Sequence, residues 1–294
     1  MVSRLIIATH ADDIDGIASA ALILKKYPNA RIVFTRPTEV LRMSLPFDMV
    51  VDLPKPRNCK VCIDHHRTNY ERLMKQGALS DKDLVDPNSP SAARLVAKYF
   101  GLMDSVSQEI VRMADRADTG DLSDDLLALD IFIKHNSRDQ EALLWLAKKM
   151  ALLGRKLLSD REFLERLAEI EPIIRKAAEV EGVVRDIAAR DIKVAIFNAM
   201  RLPYAIARLP ASLLANLGGI GLSYYIEPDT GRIKVSIRAG TRGFRADLFA
   251  MKYGGGGHES AAGLTLKDES KLPGLIFDFI RRVGERTIAY VRLE

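Results

Sequence analysis

The sequence has few cysteines: Cys59 and Cys62 are the two among its 294 residues. Their C-x-x-C spacing is typical of redox and zinc sites, but a structural zinc site needs four ligands and the sequence offers no second pair. Cys62 lies on a predicted strand and Cys59 directly precedes it, and residues three apart on a strand face opposite sides of the sheet. We therefore interpret the pair as buried, reduced cysteine rather than as a zinc or redox centre.

Long apolar runs are also missing. No stretch approaches the roughly 18 uncharged apolar residues of a membrane-spanning helix, and the apolar N-terminus reaches His10 and Asp12 too early for a secretory signal. The sequence shows no internal repeat or low-complexity tract, and 48% apolar with 28% charged residues excludes a disordered, fibrous or coiled-coil protein. We therefore expect a cytoplasmic protein without a membrane partner.

Neither sign of charge dominates the sequence. Lysine plus arginine total 44 and aspartate plus glutamate total 39, which gives a net charge of +5 at pH 7. This small excess suits a polyanionic ligand but does not indicate a protein that coats DNA. The positions of the acidic residues are therefore more informative than their number.

The pattern of apolar residues changes twice along the chain. Residues 1–138 alternate short β-branched runs with amphipathic stretches, which predicts an α/β domain with a parallel sheet. Helical spacing over 139–185 predicts a helical connector, and 186–294 predict a smaller α+β domain. The main predicted strands are 5–8, 31–34, 49–51, 60–63, 192–197, 222–226 and 233–239, and the predicted helices of the first domain are 17–26, 91–100 and 106–117.

Acidic residues and histidines follow several apolar runs of the first domain. Because ligands of open α/β sheets bind at the carboxyl ends of the strands, these side chains are candidates for a common site. The alternative is that an aspartate near the first strand only caps the following helix, but this does not explain the other groups. The groups are His10 with Asp12, Asp13 and Asp15; Asp52; Asp64 with His65 and His66; and Asp115 with Asp118.

Such a set of side chains favours divalent cations. Carboxylates this close together repel one another unless cations lie between them. Mixed imidazoles and carboxylates suit Mn²⁺ best, with Mg²⁺ as the alternative and Zn²⁺ less suited without thiolates. Two ions that share a carboxylate can activate a water and stabilise the attacking and leaving oxygens in phosphoester hydrolysis. The sequence therefore favours a site for two divalent ions.

In this order, the groups resemble the four motifs of the DHH phosphoesterase superfamily. The motifs correspond to His10-x-x-Asp13-x-Asp15-Gly16, a lone aspartate after a strand, Asp64-His65-His66 and a following Asp-Thr-Gly. The resemblance implies a catalytic domain with two metal ions, bridged by Asp52. It implies that His10, Asp13 and Asp52 bind one ion, and that Asp15, Asp52, His65 and the fourth-motif aspartate bind the other.

Two positions depart from the pattern of the family. Many relatives have one more residue between the first histidine and the first aspartate, so Asp12 competes with Asp13 as a ligand. We favour Asp13 because the Asp-x-Asp-Gly sequence then stays intact. In the fourth motif Asp118 precedes Thr-Gly, as in nanoRNase-like members, whereas Asp115 follows Met-Ala, as in RecJ-like members. We favour Asp118 and keep Asp115 as the alternative.

The third motif also supplies the catalytic candidates, Asp64 and His66. By the resemblance, Asp64 does not bind metal but orients a neighbouring imidazole. His66 would act on the scissile phosphate, either by stabilising developing charge or by giving a proton to the leaving oxygen. A single histidine is more often a core residue, but two adjacent histidines beside so many acids do not fit that interpretation.

A glycine-rich segment near the C-terminus is the second distinctive motif. The glycines at 254–257 let backbone N–H groups approach a phosphate, although a glycine run alone is also typical of a flexible loop. With the residues that follow, the run resembles the GGGHxxAAG signature of the DHH-associated C-terminal domain. Relatives also carry an upstream Ser-x-Arg strand, and an arginine fork suits a phosphate or a base edge. The substrate-binding candidates are Ser236, Arg238, Gly255, Gly256, Gly257 and His258.

The resemblance implies a nanoRNase-like phosphodiesterase that hydrolyses short oligonucleotides or linear dinucleotides to nucleoside monophosphates, with 3′-phosphoadenosine 5′-phosphate as a further substrate. The expected partners are short single strands of RNA or DNA, or dinucleotides, and a homo-oligomer is compatible with the sequence. The alternatives are a cyclic-dinucleotide phosphodiesterase and a RecJ-like exonuclease, although a long strand needs an extended basic and aromatic groove. A non-catalytic nucleotide sensor is disfavoured because no ligand of the motifs is missing.

Overall fold

The computed structural model describes residues 4–120, 124–228, 230–240 and 243–294. The chain divides into two compact units, Met1–Ile170 and Glu171–Glu294. This boundary divides the predicted connector over 139–185, because its first helices belong to the first unit and its last helix to the second. Among the described residues, no helix combines the length and the apolar character needed to cross a membrane.

The first unit is a parallel sheet of five strands with helices in the connections. In chain order its helices and strands are β1 (Ile6–His10), α1 (Ile14–Lys26), β2 (Arg31–Thr35), α2 (Pro37–Val40), β3 (Phe47–Val51), β4 (Cys59–Asp64), α3 (Arg67–Gln76), β5 (Leu84–Val85), α4 (Ala92–Phe100), α5 (Ser105–Asp118), α6 (Asp124–His135), α7 (Gln140–Leu153) and α8 (Arg161–Glu169). The strand order is β2-β1-β3-β4-β5, with every pair parallel. The parallel α/β sheet expected from the alternation of apolar runs is thereby confirmed.

Helix α1 lies at the centre of this unit. It packs against α4, α5 and α7, and its residues from Ile14 to Leu24 are all buried. The helix begins three residues before the predicted start, because the carboxylate of Asp13 accepts the backbone N–H of Gly16 at 3.0 Å and caps it. The end of β1 and the start of α1 are therefore held together by the core.

The second unit is a six-stranded mixed sheet with helices, which confirms the predicted α+β class. In chain order its helices and strands are α9 (Glu171–Ala189), β6 (Val194–Asn198), α10 (Leu209–Asn216), β7 (Ile220–Ile226), β8 (Ile233–Ala239), α11 (Ala246–Lys252), β9 (Gly256–Gly257), β10 (Ala261–Thr265), α12 (Leu272–Val283) and β11 (Ala289–Arg292). The strand order is β11-β6-β7-β8-β10-β9, parallel from β11 to β7 and antiparallel from β7 to β9. One face of this sheet buries an apolar core with Leu222, Ile237, Phe249 and Phe279.

The two cysteines lie on β4 and form no disulfide. Cys62 is buried and Cys59 is half-buried. Burial raises the pKa of both thiols, that of Cys59 to about 11, so both are neutral at physiological pH. The environment of the pair is that of inert thiols, and the interpretation as reduced cysteine agrees with it.

Candidate active site

The polar groups of the first unit lie where three neighbouring strands end. His10 is the last residue of β1, Asp52 follows β3, and Asp64 is the last residue of β4. These strands are adjacent in the order β1-β3-β4 and run parallel, so their carboxyl ends meet at one edge of the sheet. The expected convergence of these residues is what the structure shows.

His10, Asp13 and Asp52 form a first group, in which one ligand atom from each lies within 4.8 Å of the others. The Nδ1 atom of His10 is 2.5 Å from Oδ2 of Asp13 and 3.5 Å from Oδ2 of Asp52. Gly16 allows this approach, because a Cβ atom there would lie 2.1 Å from the carbonyl oxygen of His10. The glycine of the first motif therefore serves the contact between strand and helix.

Asp15, His65 and Asp118 form a second group of the same kind. The Nε2 atom of His65 lies 3.0 Å from Oδ2 of Asp118, 3.6 Å from Oδ2 of Asp15 and 3.7 Å from Oδ1 of Asp52. Asp52 thus directs Oδ2 towards His10 of the first group and Oδ1 towards His65 of the second. A single carboxylate is shared by the two groups.

The backbone of Asp52 is unusual for an aspartate. Its φ of 56° lies in the left-handed region, which non-glycine residues rarely occupy. Its N–H donates to the carbonyl oxygen of Ile63 on β4 at 3.0 Å, and its side chain is 98% or more buried. Such strained conformations concentrate at functional sites, where the surrounding structure maintains them. Here the turn brings the carboxylate between the two groups.

Neighbouring backbone groups orient Asp15 and His65. The two oxygens of Asp15 accept the N–H groups of Ala92 at 2.7 Å and Ala93 at 2.8 Å, at the N-terminus of α4, where the helix dipole favours negative charge. The Nδ1 atom of His65 is 3.2 Å from the carbonyl oxygen of Ser89. A carbonyl can only accept, so Nδ1 carries the proton in this contact and Nε2 faces the carboxylates.

Asp64 is fully buried and orients His66. Its Oδ1 lies 2.8 Å from Nδ1 of His66, and its Oδ2 accepts the side-chain amide of Asn69 at 2.6 Å. Burial would raise the pKa of Asp64, but the charge and hydrogen bond of His66 lower it below its usual value. Burial would lower the pKa of His66, but Asp64 and Asp52 raise it to about 9. Asp64 is therefore ionised and accepts a hydrogen bond from protonated His66.

The electrostatics of the two groups fit bound cations. Burial, followed by the charge of Asp13, raises the pKa of Asp52 to about 6 although His10 and His66 act to lower it. Burial and the charge of Asp52 raise the pKa of Asp15. Burial would lower the pKa values of His10 and His65, but the surrounding carboxylates raise both, that of His65 to about 11. Without a cation, the groups hold protons in its place. Within the described part of the chain, His10 Nδ1 and Asp52 Oδ2 are buried and make no hydrogen bond of good geometry.

The substrate-binding candidates of the second unit come together on its sheet. Strand β10 joins them, since Gly263 pairs with Ser236 of β8 and with Gly256 of β9. Arg238 pairs with Ala261, which accepts the N–H of His258 at 2.8 Å. Gly255 and Gly257 allow this close packing, because a Cβ atom would lie 2.3 Å and 2.5 Å from backbone oxygens there. Four of the six candidates therefore lie on β8 and β9, which flank β10, and Gly255 and His258 lie directly beside β9.

The second unit also carries a recognisable domain. Residues 205–285 match the DHHA1 domain family. This match supports the resemblance of the C-terminal segment to the DHH-associated domain. No curated protein sequence matches the chain significantly.

Several solved structures share the fold of this chain. The pGpG-specific phosphodiesterase PggH from Vibrio cholerae is 17% identical with a TM-score of 0.62, and the match covers 96% of this chain and 99% of that chain. An exopolyphosphatase-related protein from Bacteroides fragilis is 14% identical with a TM-score of 0.52, over 96% and 92% of the two chains. RecJ from Thermus thermophilus in complex with Mg²⁺ is 16% identical with a TM-score of 0.50, over 98% of this chain and 51% of that chain.

Asp12 and Asp115, the sequence-based alternatives to Asp13 and Asp118, lie outside the two groups. Asp12 is buried against Arg36, whose Nε lies 3.1 Å from its Oδ2, and belongs to neither group. Asp115 accepts the hydroxyl of Ser91 at 2.6 Å and pairs with Arg94, so it also lies outside the groups. The structure thus brings Asp13 and Asp118 to the site, as the sequence-based choice between the alternatives assumed.

Three supporting residues escaped the sequence-based prediction: Arg36, Asn69 and Ser91. Each acts through a partner that motif spacing does not reveal, namely Asp12, Asp64 and Asp115 respectively. Asn69 is buried on α3, the helix that directly follows Asp64-His65-His66. Its closeness to this motif in the sequence was the one signal that could have identified it. Arg36 and Ser91 lie 24 residues from their partners, and only the tertiary structure identifies them.

Proposed function

We propose that the chain is a metal-dependent phosphodiesterase that hydrolyses short oligonucleotides or linear dinucleotides to nucleoside monophosphates. One observation carries the proposal: Asp52 directs one oxygen to each of two carboxylate–histidine groups at the carboxyl edge of a parallel sheet. This arrangement suits two divalent ions with a shared carboxylate. The coarser assignment, a phosphoester hydrolase, agrees with the DHH relatives of the same fold.

The ligands follow from the two groups. His10, Asp13 and Asp52 would hold one ion, and Asp15, Asp52, His65 and Asp118 the other. Oxygen and imidazole ligands without thiolate suit Mn²⁺ first and Mg²⁺ as the alternative, and the RecJ structure in complex with Mg²⁺ supports a divalent ion. When bound, such ions supply a water activated for attack on phosphorus and neutralise charge on the phosphate oxygens.

In this scheme His66 provides the proton for the leaving oxygen, and Asp64 orients His66. Asp64 accepts the Nδ1 proton of His66, which leaves the other ring nitrogen, Nε2, available to the substrate. As water attacks phosphorus and the bond to the leaving oxygen breaks, Nε2 gives its proton to that oxygen. The ionised Asp64 stabilises the protonated ring and fixes its orientation, with Asn69 holding the second carboxylate oxygen.

Two features favour a short substrate. The pGpG-specific phosphodiesterase from Vibrio cholerae shares the fold over 96% of this chain, and pGpG is a linear dinucleotide. The net charge of +5 is small for a protein that holds a long strand. The same site would also support phosphate removal from 3′-phosphoadenosine 5′-phosphate, whereas RecJ-like degradation of long single strands and cleavage of cyclic dinucleotides are the competing activities.

A length series separates these activities. Purified protein with Mn²⁺ would be assayed on 5′-labelled RNA and DNA from the dinucleotide to about 25 nucleotides, beside cyclic dinucleotides, 3′-phosphoadenosine 5′-phosphate and pyrophosphate. We expect the highest kcat/KM for two to about five nucleotides, because few phosphates can be gripped. Equal degradation of the longest strand would exclude the short-substrate proposal and favour the RecJ-like activity.

Replacing the shared carboxylate tests the metal site. Asp52→Ala should abolish turnover of the dinucleotide, because both groups lose a ligand. The exposed Asp81→Ala, in the same unit but in neither group, is the matched control and should keep wild-type kcat/KM. Activity that survives in Asp52→Ala would show that the assignment of two ions around this residue is wrong.

A further inference from the structure

The first motif contains a further carboxylate, Asp12, that belongs to neither group. The residue lies directly before Asp13, the proposed ligand of the first group, and is 5% exposed. A buried carboxylate is unfavourable unless it is paired, and beside two proposed cations it would be drawn towards them. A positive partner must therefore hold Asp12 away from the metal site.

Arg36 is that partner. Its Nε lies 3.1 Å from Oδ2 of Asp12 and its Nη2 lies 3.3 Å from Oδ1, so both carboxylate oxygens accept hydrogen bonds from one guanidinium. The side chains of Arg36 and Asp12 are 12% and 7% exposed, respectively. A planar guanidinium that binds both oxygens of a carboxylate fixes its orientation as well as neutralising its charge. Arg36 therefore determines where the Asp12 carboxylate points.

The order of the strands separates the two adjacent carboxylates. Strand β1 lies between β2, which leads into Arg36, and β3, which leads into Asp52. Asp12 is bound to Arg36 on the β2 side. Asp13 belongs to the group that contains Asp52, on the β3 side. The carboxylates of Asp12 and Asp13 are thus directed to opposite neighbours of β1.

Arg36 is itself held by the turn between α6 and α7. Its Nη2 donates to the hydroxyl of Ser137 at 3.1 Å, and Ser137 is 7% exposed. The side-chain amide of Gln140 makes two hydrogen bonds with the backbone of Phe34 on β2, at 2.7 Å and 3.0 Å. These bonds join the turn to β2 directly before Arg36. The guanidinium therefore has an anchor other than Asp12.

We propose that Arg36 is a positioning residue of the metal site, which retains Asp12 beside β2 and leaves Asp13 as the ligand of the first group. The identity of the bound species, a divalent cation, rests on the proposed function. The inference assigns this role to a residue that none of the motifs contains. It predicts that Asp12 becomes a replacement ligand once Arg36 is removed.

The loss of Mn²⁺ affinity on removing Asp13 tests this role. In the otherwise wild-type chain, Asp13→Asn should weaken Mn²⁺ at least about tenfold, because a charged ligand is lost while asparagine still caps α1. In Arg36→Gln the same substitution should weaken Mn²⁺ less than about threefold, because the released Asp12 carboxylate takes its place. Isothermal titration of the full chain with Mn²⁺ gives the affinities of this double-mutant cycle.

Two controls identify Asp12 as the replacement. Adding Asp12→Asn to the chain with Arg36→Gln and Asp13→Asn should restore the loss of at least about tenfold, since the replacement carboxylate is then removed. Arg31→Gln, at an exposed arginine on the same strand, should leave the effect of Asp13→Asn on Mn²⁺ affinity unchanged.

The cycle also separates positioning from folding. A buried carboxylate left without its partner destabilises the chain, so the melting temperature of each variant is measured in EDTA. If Arg36→Gln does not fold, Arg36→Lys keeps the charge without the fork and should reduce the loss caused by Asp13→Asn at least about threefold. A purely structural arginine would lower the melting temperature but leave that loss the same in both backgrounds. Equal losses would overturn the inference.

This result can be distinguished from failure of the proposed function. A chain that shows the coupling in Mn²⁺ affinity yet hydrolyses no short oligonucleotide would contradict only the proposed function. A chain that hydrolyses dinucleotides with Mn²⁺, but loses the same affinity on Asp13→Asn with and without Arg36, would contradict only the role of Arg36. A wild-type chain that binds no Mn²⁺ would contradict both.

Discussion

Asp115 and Asp118 lie one turn apart on α5, yet their carboxylates have different partners. Asp118 faces His65 at 3.0 Å, whereas Asp115 is held by Ser91 and Arg94. Both sequence contexts are compatible with the fourth motif, although the sequence favours Asp118. At the scale of single residues, the turn of the helix therefore decides which carboxylate faces His65 and is the proposed metal ligand.

This difference predicts a large loss of kcat/KM for one isosteric substitution and a small loss for the other. Asp118→Asn should lower kcat/KM with Mn²⁺ by at least about 100-fold, because a charged ligand is lost where even supporting residues contribute 10–100-fold. Asp115→Asn should stay within about tenfold of the wild type, since only its support of α4 weakens. Steady-state kinetics and Mn²⁺ titration of both variants provide the measurement, and a larger loss in Asp115→Asn would reverse the assignment.

The raised pKa values predict how metal affinity depends on pH. Without metal, the pKa of Asp52 is about 6 and that of His65 about 11, and both must lose protons to act as ligands. Protons thus compete with the metal, and Mn²⁺ affinity should rise with pH between about 6 and 9, by up to about tenfold per unit for each proton released. Calorimetry in buffers of different ionisation enthalpy measures that release. An affinity independent of pH would show that the groups are already deprotonated.

The same shifts set the sign of the effect on stability. The folded-state pKa of His65 lies above its unfolded value of about 6.5, so its contribution is complete below that pH and is lost as pH rises towards about 11. The raised pKa of Asp52 acts in the same direction between about 4 and 6. The metal-free protein should therefore lose stability as pH rises through these windows.

At the scale of helices and strands, α4 holds Asp15, a proposed metal ligand, without contributing a proposed ligand itself. Its first two N–H groups hold both oxygens of Asp15, and its cap, Ser91, accepts the N–H of Arg94 at 3.1 Å while donating to Asp115. The orientation of the Asp15 carboxylate therefore depends on the position of α4.

Removing the cap of α4 should therefore affect metal binding. Ser91→Ala should lower the free energy of unfolding by about 1 kcal/mol and weaken Mn²⁺ about tenfold. Asp160→Ala is the matched control, because it removes the cap of α8, a helix of the same unit without a site residue. Denaturant unfolding and Mn²⁺ titration give the two quantities. Equal Mn²⁺ affinities in the two variants would show that α4 does not position Asp15.

At the scale of the whole molecule, bound cations change the balance of charge. The net charge of +5 includes five buried or partly buried carboxylates in the two groups and beside them, Asp13, Asp15, Asp52, Asp64 and Asp118. Two divalent ions would offset most of that negative charge. The region near the substrate then becomes more attractive to phosphates than the composition alone indicates.

Metal removal should accordingly destabilise the folded protein. Binding to the native state alone stabilises it by about 2.7 kcal/mol when free Mn²⁺ is 100 times its dissociation constant. We expect a higher melting temperature in Mn²⁺ than in EDTA, with two ions bound per chain and a much smaller shift in Asp52→Ala. Differential scanning calorimetry and metal analysis check both numbers, and a stoichiometry of one would exclude the shared-carboxylate site.

The local pattern of the sequence predicted most of the strands, but less of the connecting structure. The predicted strand 60–63 ends in Cys62 and Ile63, which are buried in the core. Strand β4 extends this prediction by one residue at each end. The two-residue strand β5 and the polar helix α3 were missed, since neither carries a clear apolar period. The interpretation of 139–185 as one connector ignored the boundary after Ile170, which depends on packing rather than helical propensity.

The sequence by itself determined the chemistry of this protein: the carboxylates and histidines after parallel strands, their order, and the glycine segment of the DHHA1 domain. Strand ends bring such residues together because parallel strands align their carboxyl ends. Only the tertiary structure decided that Asp13 and Asp118, and not Asp12 and Asp115, lie in the two groups, because this depends on side-chain direction at one turn. It alone showed the shared position of Asp52 and the pairing of Asp12 with Arg36, since each depends on strand register across distant parts of the chain.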